Sequence, residues 1–175
     1  MPARADRSVE ERVALAMPSS LVRAAMRLYT RLPPGSVLRR RIFKRAFARG
    51  LEGSARGDHA FALLFYERDV DLRVRGEITS ALGLAESYRG HEGYVQAWHD
   101  YTRDMADLRV VPEQIIDLGP RVALRAKLVG VGPASGVEIA QPLGYVCYLS
   151  PRGLIARQEG YWAWEDALKA VRLEG

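Results

Sequence analysis

The spacing of apolar residues changes along the chain, from helical in the first hundred residues to alternating in the rest. In the first part, apolar side chains recur every three or four positions, which predicts amphipathic helices. Beyond residue 106 they alternate with polar ones, and turns rich in glycine and proline separate the runs. This pattern predicts strands over 108–118, 121–131, 137–149 and 154–163. Helices followed by an antiparallel meander indicate the α+β class.

Shorter signals place the remaining elements. Helices are indicated by N-cap residues and by breaks in the chain, and one early strand by alternation. The predicted elements are a helix over 8–16, a helix after Pro18, helices that begin at Ser36 and Asp58, a strand over 69–75, a helix after Gly90 and a closing helix over 165–171. We interpret residues 1–35 as a helical extension and residues 36–175 as a single domain.

The net charge of +5 is concentrated at one end of the chain. Residues 1–56 hold 13 lysines and arginines but 4 acidic residues, whereas the remainder is acidic overall. Arg23, Arg27 and Arg31 lie four residues apart along one side of the second predicted helix. Such asymmetry is typical of a solvated helical face, and it also fits contact with nucleic acid or an anionic membrane. No aromatic stacking platform interleaves the arginines, so nucleic acid is the weaker interpretation.

The cysteine content and the length of the apolar runs indicate where in the cell the protein is found. Cys147 is the one cysteine, so no intrachain disulfide can form, and its place in a predicted strand favours a small buried hydrophobe. The longest apolar run, AFALLFY (60–66), is far shorter than the ~20 residues of a membrane-crossing helix. The first residues lead into no secretory apolar segment. Together these features predict a cytoplasmic protein.

Four stretches carry a more specific signal: RGDHAFALLFYERDVDLR (56–73), YRGHEGYVQAWHDY (88–101), IIDLGPRVALRAKLVGVGPASGVEIAQPLGYVCYL (115–149) and GLIARQEGYWAWEDALKAV (153–171). In this order and spacing they resemble the SnoaL-like branch of the nuclear-transport-factor-2-like superfamily, over about residues 36–175. The resemblance implies helices packed in a strongly curved antiparallel sheet, a cone or half-barrel with an internal pocket. Many members dimerise through the outer sheet face, so it also implies a homodimer.

The family does not determine the activity, because its members include isomerases, dehydratases, hydrolases, cyclases and proteins without an assigned reaction. Ketosteroid isomerases need a carboxylate base, with a tyrosine and a protonated acid as oxyanion hole. Rough registration places these three groups near Val74, Gly50 and Gly144, so all three are missing here. The histidine-rich site of the dehydratases has no counterpart either.

The stretch YRGHEGYVQAWHDY gathers histidines and acids without forming a metal-binding motif. A zincin helix needs His-Glu-x-x-His, and Val95 stands where the second histidine would be. His91 and His99 are eight residues apart, which is too far for a pair of ligands. We therefore interpret the stretch as a turn and the start of a helix. No glycine-rich phosphate loop is visible, and we predict no metal and no cofactor.

The last predicted strand carries the remaining candidate chemistry. The place of Tyr161 in the family implies that it faces the pocket, and alternation then puts Glu159 and Arg157 there as well. Glu159 is the candidate catalytic residue, as a general base or as the anchor of a polar ligand, and a structural ion pair is the alternative. The other predicted pocket residues are Tyr66, Trp98, Tyr101, Tyr148 and, near the mouth, Gln141.

Three hypotheses of function follow. The first is a cytoplasmic homodimeric domain that binds a small, mostly apolar molecule in its cone, with weak catalysis through Glu159. The second is a non-catalytic interaction module that docks a partner through its basic N-terminal helices. The third is a cofactor-free enzyme of the cyclase or hydrolase kind.

Overall fold

The computed structural model describes residues 7–76, 79, 83–103, 106–131, 136 and 138–173. The helices are α1 (Val9–Ala16), α2 (Ser19–Arg31), α3 (Val37–Ala55), α4 (Ala60–Leu63), α5 (Gly90–Arg103) and α6 (Trp164–Leu173). The strands are β1 (Tyr66–Arg75), β2 (Ser87–Arg89), β3 (Ala106–Asp117), β4 (Arg121–Val131), β5 (Glu138–Leu149) and β6 (Ile155–Tyr161). No helix among the described residues is long and apolar enough to cross a membrane.

The strands form one sheet in the order β2-β1-β6-β5-β4-β3. β2 and β3 lie at opposite edges, so the sheet stays open like a cone rather than closing into a barrel. Register shifts within β1 and β3 are bulges that bend the strands. The predicted α+β fold is confirmed with one correction. β1 and β6 pair in parallel, because the last strand inserts between β1 and β5.

Alternation along each strand separates an inner from an outer face. On β4 the inner residues Val122, Leu124, Ala126 and Leu128 are at most 1% exposed, as their spacing predicted. Helix α3 contacts β3 and helix α5 contacts β1, and both contribute to the core on this inner face. Helix α6 covers part of the outer face and forms a second, smaller cluster with β4 and β5.

A buried ion pair fastens the start of α3 to the sheet. Ser36 caps α3 by accepting a hydrogen bond from the Arg39 backbone nitrogen, as predicted. The Arg39 guanidinium lies 3.1 Å from the Asp117 carboxylate at the end of β3. Asp117 also accepts hydrogen bonds from the backbone nitrogens of Gly35 and Gly119, both at 3.0 Å. The carboxylate therefore joins two turns, one before α3 and one after β3.

Most predicted elements are confirmed, with shifts of a few residues at their ends. β1 begins at Tyr66 rather than Asp69, and the helix after Asp58 is a single turn, Ala60–Leu63. The three-residue strand β2 was missed because Ser87–Arg89 is too short to show alternation. Met105, predicted to extend the apolar stripe of α5, and most of the turn over 132–136 lie outside the described residues.

Candidate ligand pocket

An inner cavity lies between the concave face of the sheet and helices α3 and α5. Its volume is about 50 Å³, enough for a few waters, since one water needs roughly 10–15 Å³. Ligand pockets commonly run to ~300–1,000 Å³, so this cavity is largely filled by its own walls. The walls are mainly aromatic rings, with apolar residues of β1, β3 and β4 between them. The rings belong to Tyr66, Tyr88, Tyr94, Trp98, Tyr101 and Tyr145.

Three of these tyrosines have hydrogen-bond partners, and one of them is Tyr88, whose hydroxyl donates to Asp100 at 2.8 Å. The Tyr66 hydroxyl donates to Gln158 Oε1 at 2.6 Å, and Gln158 extends from the inner face of β6. The Tyr94 hydroxyl lies 2.9 Å from Ser54 Oγ of α3. The centroids of the two tyrosine rings are 4.8 Å apart. This pair is held in place by bonds to two different elements.

Two other tyrosines keep free hydrogen-bonding capacity. The hydroxyls of Tyr101 and Tyr145 make no hydrogen bond with any residue that the structure describes. Burial raises the pKa of both phenols, so they stay protonated at neutral pH. Burial also raises the pKa of Tyr94, to about 12. The cavity therefore presents neutral donors within an apolar shell, and a carbonyl or ether oxygen is the natural acceptor.

A second space, the apolar crevice, lies on the far side of the Tyr66–Tyr94 pair. Its volume is also about 50 Å³, and both tyrosines line it together with Leu51. The other walls are apolar residues of α2 and α3 and the start of β6, among them Met26, Tyr29, Ile42, Phe43, Phe47 and Ile155. Tyr66, Tyr94 and Leu51 therefore separate the crevice from the inner cavity.

The predicted catalytic residue lies elsewhere, on the outer face of the sheet. Glu159 pairs with Val146, whose side chain packs against α6. The Glu159 carboxylate accepts hydrogen bonds from Arg75 at 2.7 Å and from the Tyr161 hydroxyl at 2.7 Å. Tyr148 donates to it as well, at 3.3 Å. We call this group, with Arg157, the outer cluster; the Arg157 guanidinium lies over the Tyr148 ring at 3.7 Å.

The electrostatics of the outer cluster are those of a structural ion pair. Burial would raise the pKa of Glu159, but the hydrogen bonds from Arg75 and Tyr161 and the charges of Arg75 and Arg157 outweigh it. The net result is a pKa below the ordinary value, so the carboxylate is ionised at neutral pH, and both of its oxygens accept hydrogen bonds. A general base must lie near its substrate, and Glu159 faces away from the inner cavity.

The prediction that Glu159, Arg157, Tyr161 and Tyr148 line the pocket is therefore wrong. The alternation was correct, since these four residues do share a face, but the register was off by one. A one-residue offset moves every side chain of a strand to the other face. Gly144, taken as the counterpart of a pocket acid, also points outward, because a Cβ built there would lie 2.6 Å from Ala167 Cβ of α6.

Three predicted pocket residues do come together on the inner side: Tyr66, Trp98 and Tyr101. Gln141 pairs with the inward-facing Leu128, yet its side-chain nitrogen donates to the Pro142 carbonyl at 3.3 Å and it does not line the cavity. Cys147 is buried, and burial raises the pKa of its thiol well above the ordinary value, which suits the predicted apolar role. No group of three or more potential metal ligands occurs among the described residues.

The residues that sequence reasoning missed are Tyr145, Gln158, Tyr88 and Tyr94. β5 is apolar on both faces, so its alternation could not show which tyrosine turns inward. On β6 a usable signal existed: Arg157 and Glu159 share a face, and charged residues favour the solvent side of a sheet. That rule predicts that Gln158 and Gly160 face inward, and both residues line the inner cavity.

Comparison with known proteins identifies the fold. No protein-family model and no curated protein matches the chain. An NTF2-like protein of unknown function from Burkholderia pseudomallei superimposes with a TM-score of 0.59 at 16% identity, over 73% of this chain and 95% of that one. A SnoaL-like protein of unknown function from Burkholderia thailandensis gives 0.54 at 17%, over 75% and 99%.

A third similar structure is TerC co-crystallised with polyporic acid, with a TM-score of 0.59 at 18% identity, over 75% of this chain and 97% of that one. At such identities the likeness establishes the fold alone. The chain has the α+β cone fold of NTF2-like and SnoaL-like proteins, as the resemblance of its four sequence stretches implied.

Proposed function

We propose that the protein binds a small, mostly apolar molecule in the inner cavity, with an acceptor oxygen of that molecule facing Tyr101 and Tyr145. The observation that carries this proposal is the pair of phenol hydroxyls without a partner in an aromatic shell. Both tyrosines line the cavity, so their unpartnered hydroxyls are available to an acceptor of a bound molecule. The similar structure TerC was co-crystallised with polyporic acid, which agrees with a small-molecule role for this fold.

The lining supports binding more than acid–base catalysis. Within the described residues, the inner cavity is bordered by no carboxylate and no imidazole. Among the described lining residues the one charged residue is Arg73, whose guanidinium lies 2.6 Å from the Asp71 carboxylate. Protonated tyrosines can orient a carbonyl and polarise it, but proton abstraction needs a base of moderate pKa. We therefore place the site residues in a binding role, with Tyr66 and Trp98 as walls.

A matched pair of probes tests the proposal: 1-indanone, which carries a carbonyl, and indane, which has the same shape without it. Binding is followed by ligand-observed NMR on the full chain. We expect 1-indanone to bind roughly 2–10-fold more tightly than indane, the usual worth of one neutral hydrogen bond. The preference should vanish in the double variant Tyr101→Phe/Tyr145→Phe. Tyr148→Phe removes the same atom on the outer face and should leave it unchanged.

Two results would overturn the proposal. If neither probe binds the wild-type chain, the cavity does not open for ligands of this size. If 1-indanone keeps its preference in the double variant, its carbonyl is recognised by other groups.

Homodimerisation and a cytoplasmic location remain proposals that rest on the fold and the composition. Helix α6 packs over Ala123 and Val146, so it occupies part of the outer face that many proteins of this fold use for dimerisation. A dimer through this face would have to include α6 in its interface. Light scattering coupled to size exclusion measures the oligomeric state directly.

A further inference from the structure

Helix α2 leaves an apolar flank uncovered. Its residues Met26 and Tyr29 line the apolar crevice and thereby attach the helix to the domain. The neighbouring flank carries Leu21, Ala24, Ala25 and Leu28, which share one side at 3.6 residues per turn. Leu21 is 53% exposed and Leu28 is 64% exposed. Single exposed leucines are ordinary, but a row of apolar residues along one flank marks a contact surface.

The first turns of α3 extend this surface. Leu38 is 57% exposed and Ile42 is 42% exposed. Ile42 also lines the crevice, opposite Met26 of α2. Arg23 and Arg27 line a groove on the other edge of α2, next to α4. At 3.6 residues per turn the leucine flank lies on the side of α2 away from these two arginines. Of the exposed apolar residues of the two helices, Ile42 lines the crevice.

The same two helices carry cations without counterions. Arg23, Arg27 and Arg31 of α2 and Arg40 and Arg41 of α3 are exposed and form no ion pair with any described residue. Helix α2 contains no acidic residue at all. Other arginines of this region are neutralised within the fold, for example Arg49 by Glu52 at 2.7 Å. Five arginines without an ion pair among the described residues thus lie on the two helices that carry the apolar surface.

We propose that this face, the exposed side of α2 with the first turns of α3, docks on the surface of an anionic lipid membrane. Basic residues that flank an apolar helical face are the features that hold a helix in the headgroup region. Anionic lipid complements the five free arginines, whereas a second copy of the same face would repel them. Nucleic acid would use the arginines but not the leucines. Docking does not depend on the ligand proposed above.

Vesicle flotation with the full chain tests the inference. The probes are phosphatidylcholine vesicles and the same vesicles with about 30% phosphatidylglycerol, at low and at physiological salt. We expect binding to the anionic vesicles, at least about ten-fold weaker binding to the neutral ones, and a partial loss with salt. The variant Leu21→Ser/Leu28→Ser should weaken binding at least about ten-fold, because both side chains would enter the headgroup region.

The matched control is Val95→Ser/Val111→Ser, which removes two exposed apolar side chains outside α2 and α3 and should bind like wild type. Thermal unfolding of each variant verifies that the fold is intact. Absence of binding to anionic vesicles would overturn the inference. Equal binding by the Leu21→Ser/Leu28→Ser variant and the wild type would also overturn it, since charge alone would then explain the binding. Binding to double-stranded DNA but not to vesicles would assign the face to nucleic acid instead.

Discussion

The inner cavity and the outer cluster both gather tyrosines, yet they use them in opposite ways. In the outer cluster, Tyr148 and Tyr161 donate to the Glu159 carboxylate, which Arg75 also contacts. In the inner cavity, the Tyr101 and Tyr145 hydroxyls have no partner among the described residues. Closely bonded groups stabilise the fold, while groups with free capacity can bind something from outside. The outer cluster looks chemically richer, but the inner cavity is the better candidate site.

Two glycines on adjacent strands give the largest test of this comparison, because they face opposite sides. A Cβ at Gly144 would lie 2.6 Å from Ala167 Cβ, whereas a Cβ at Gly160 would lie 3.5 Å from the Tyr145 ring. We expect Gly144→Ala to lower the free energy of unfolding by about 2–3 kcal/mol, as overpacking does. Gly160→Ala should change it by less than about 1 kcal/mol. Chemical denaturation of both variants measures the difference, and equal losses would contradict the assignment of faces.

The next test removes the charge of the outer cluster. Glu159→Gln keeps the shape but loses the charge-assisted bond to Arg75, which is partly exposed, so we expect a loss of about 1–2 kcal/mol in unfolding free energy. Binding of 1-indanone should be unchanged, because Glu159 does not face the inner cavity. A large loss of probe binding without a loss of stability would restore Glu159 as a site residue.

A pair of phenylalanine variants compares bonded with free hydroxyls inside the cavity. Tyr66→Phe leaves Gln158 Oε1 without its main donor and should cost about 1 kcal/mol in unfolding free energy. Tyr145→Phe removes a hydroxyl that has no described partner and should leave stability unchanged within about 0.5 kcal/mol. Denaturation curves of the two variants test the contrast. A substantial loss in Tyr145→Phe would show that its hydroxyl has a structural role.

The smallest expected effect is the pH dependence of the outer cluster. The folded-state pKa of Glu159 is lowered, so its contribution to stability is present above the unfolded pKa of about 4.3 and is lost as the pH falls through the folded pKa. The stability difference between wild type and Glu159→Gln should therefore be constant near pH 6–7 and shrink below about pH 4. Denaturation midpoints of both proteins, measured from pH 3 to 7, show whether this stability difference shrinks on acidification. A difference that grows on acidification would contradict it.

The fold could be predicted from the sequence better than the site, because the site depends on which face of each strand points inward. β4 has small and apolar residues at alternate positions with arginine and lysine between them, so its inner face could be read directly. β5 is apolar on both faces because α6 covers its outer face. Its sequence pattern therefore did not show which of its residues face inward. On β6 the family resemblance implies that Tyr161 faces inward, whereas the charges of Arg157 and Glu159 favour the outer face, where the structure has all three.

By itself the sequence determined the α+β class, the approximate bounds of the main helices and strands, the Ser36 cap of α3 and the concentration of positive charge in residues 1–56. These features depend on local spacing and on residue chemistry, which the chain carries wherever it folds. The tertiary structure alone decided which tyrosines face inward, that Glu159 is bound by Arg75 from another strand, and that the leucine flank of α2 stays uncovered. Each of these depends on register and on distant packing partners, and a shift of one residue reverses them.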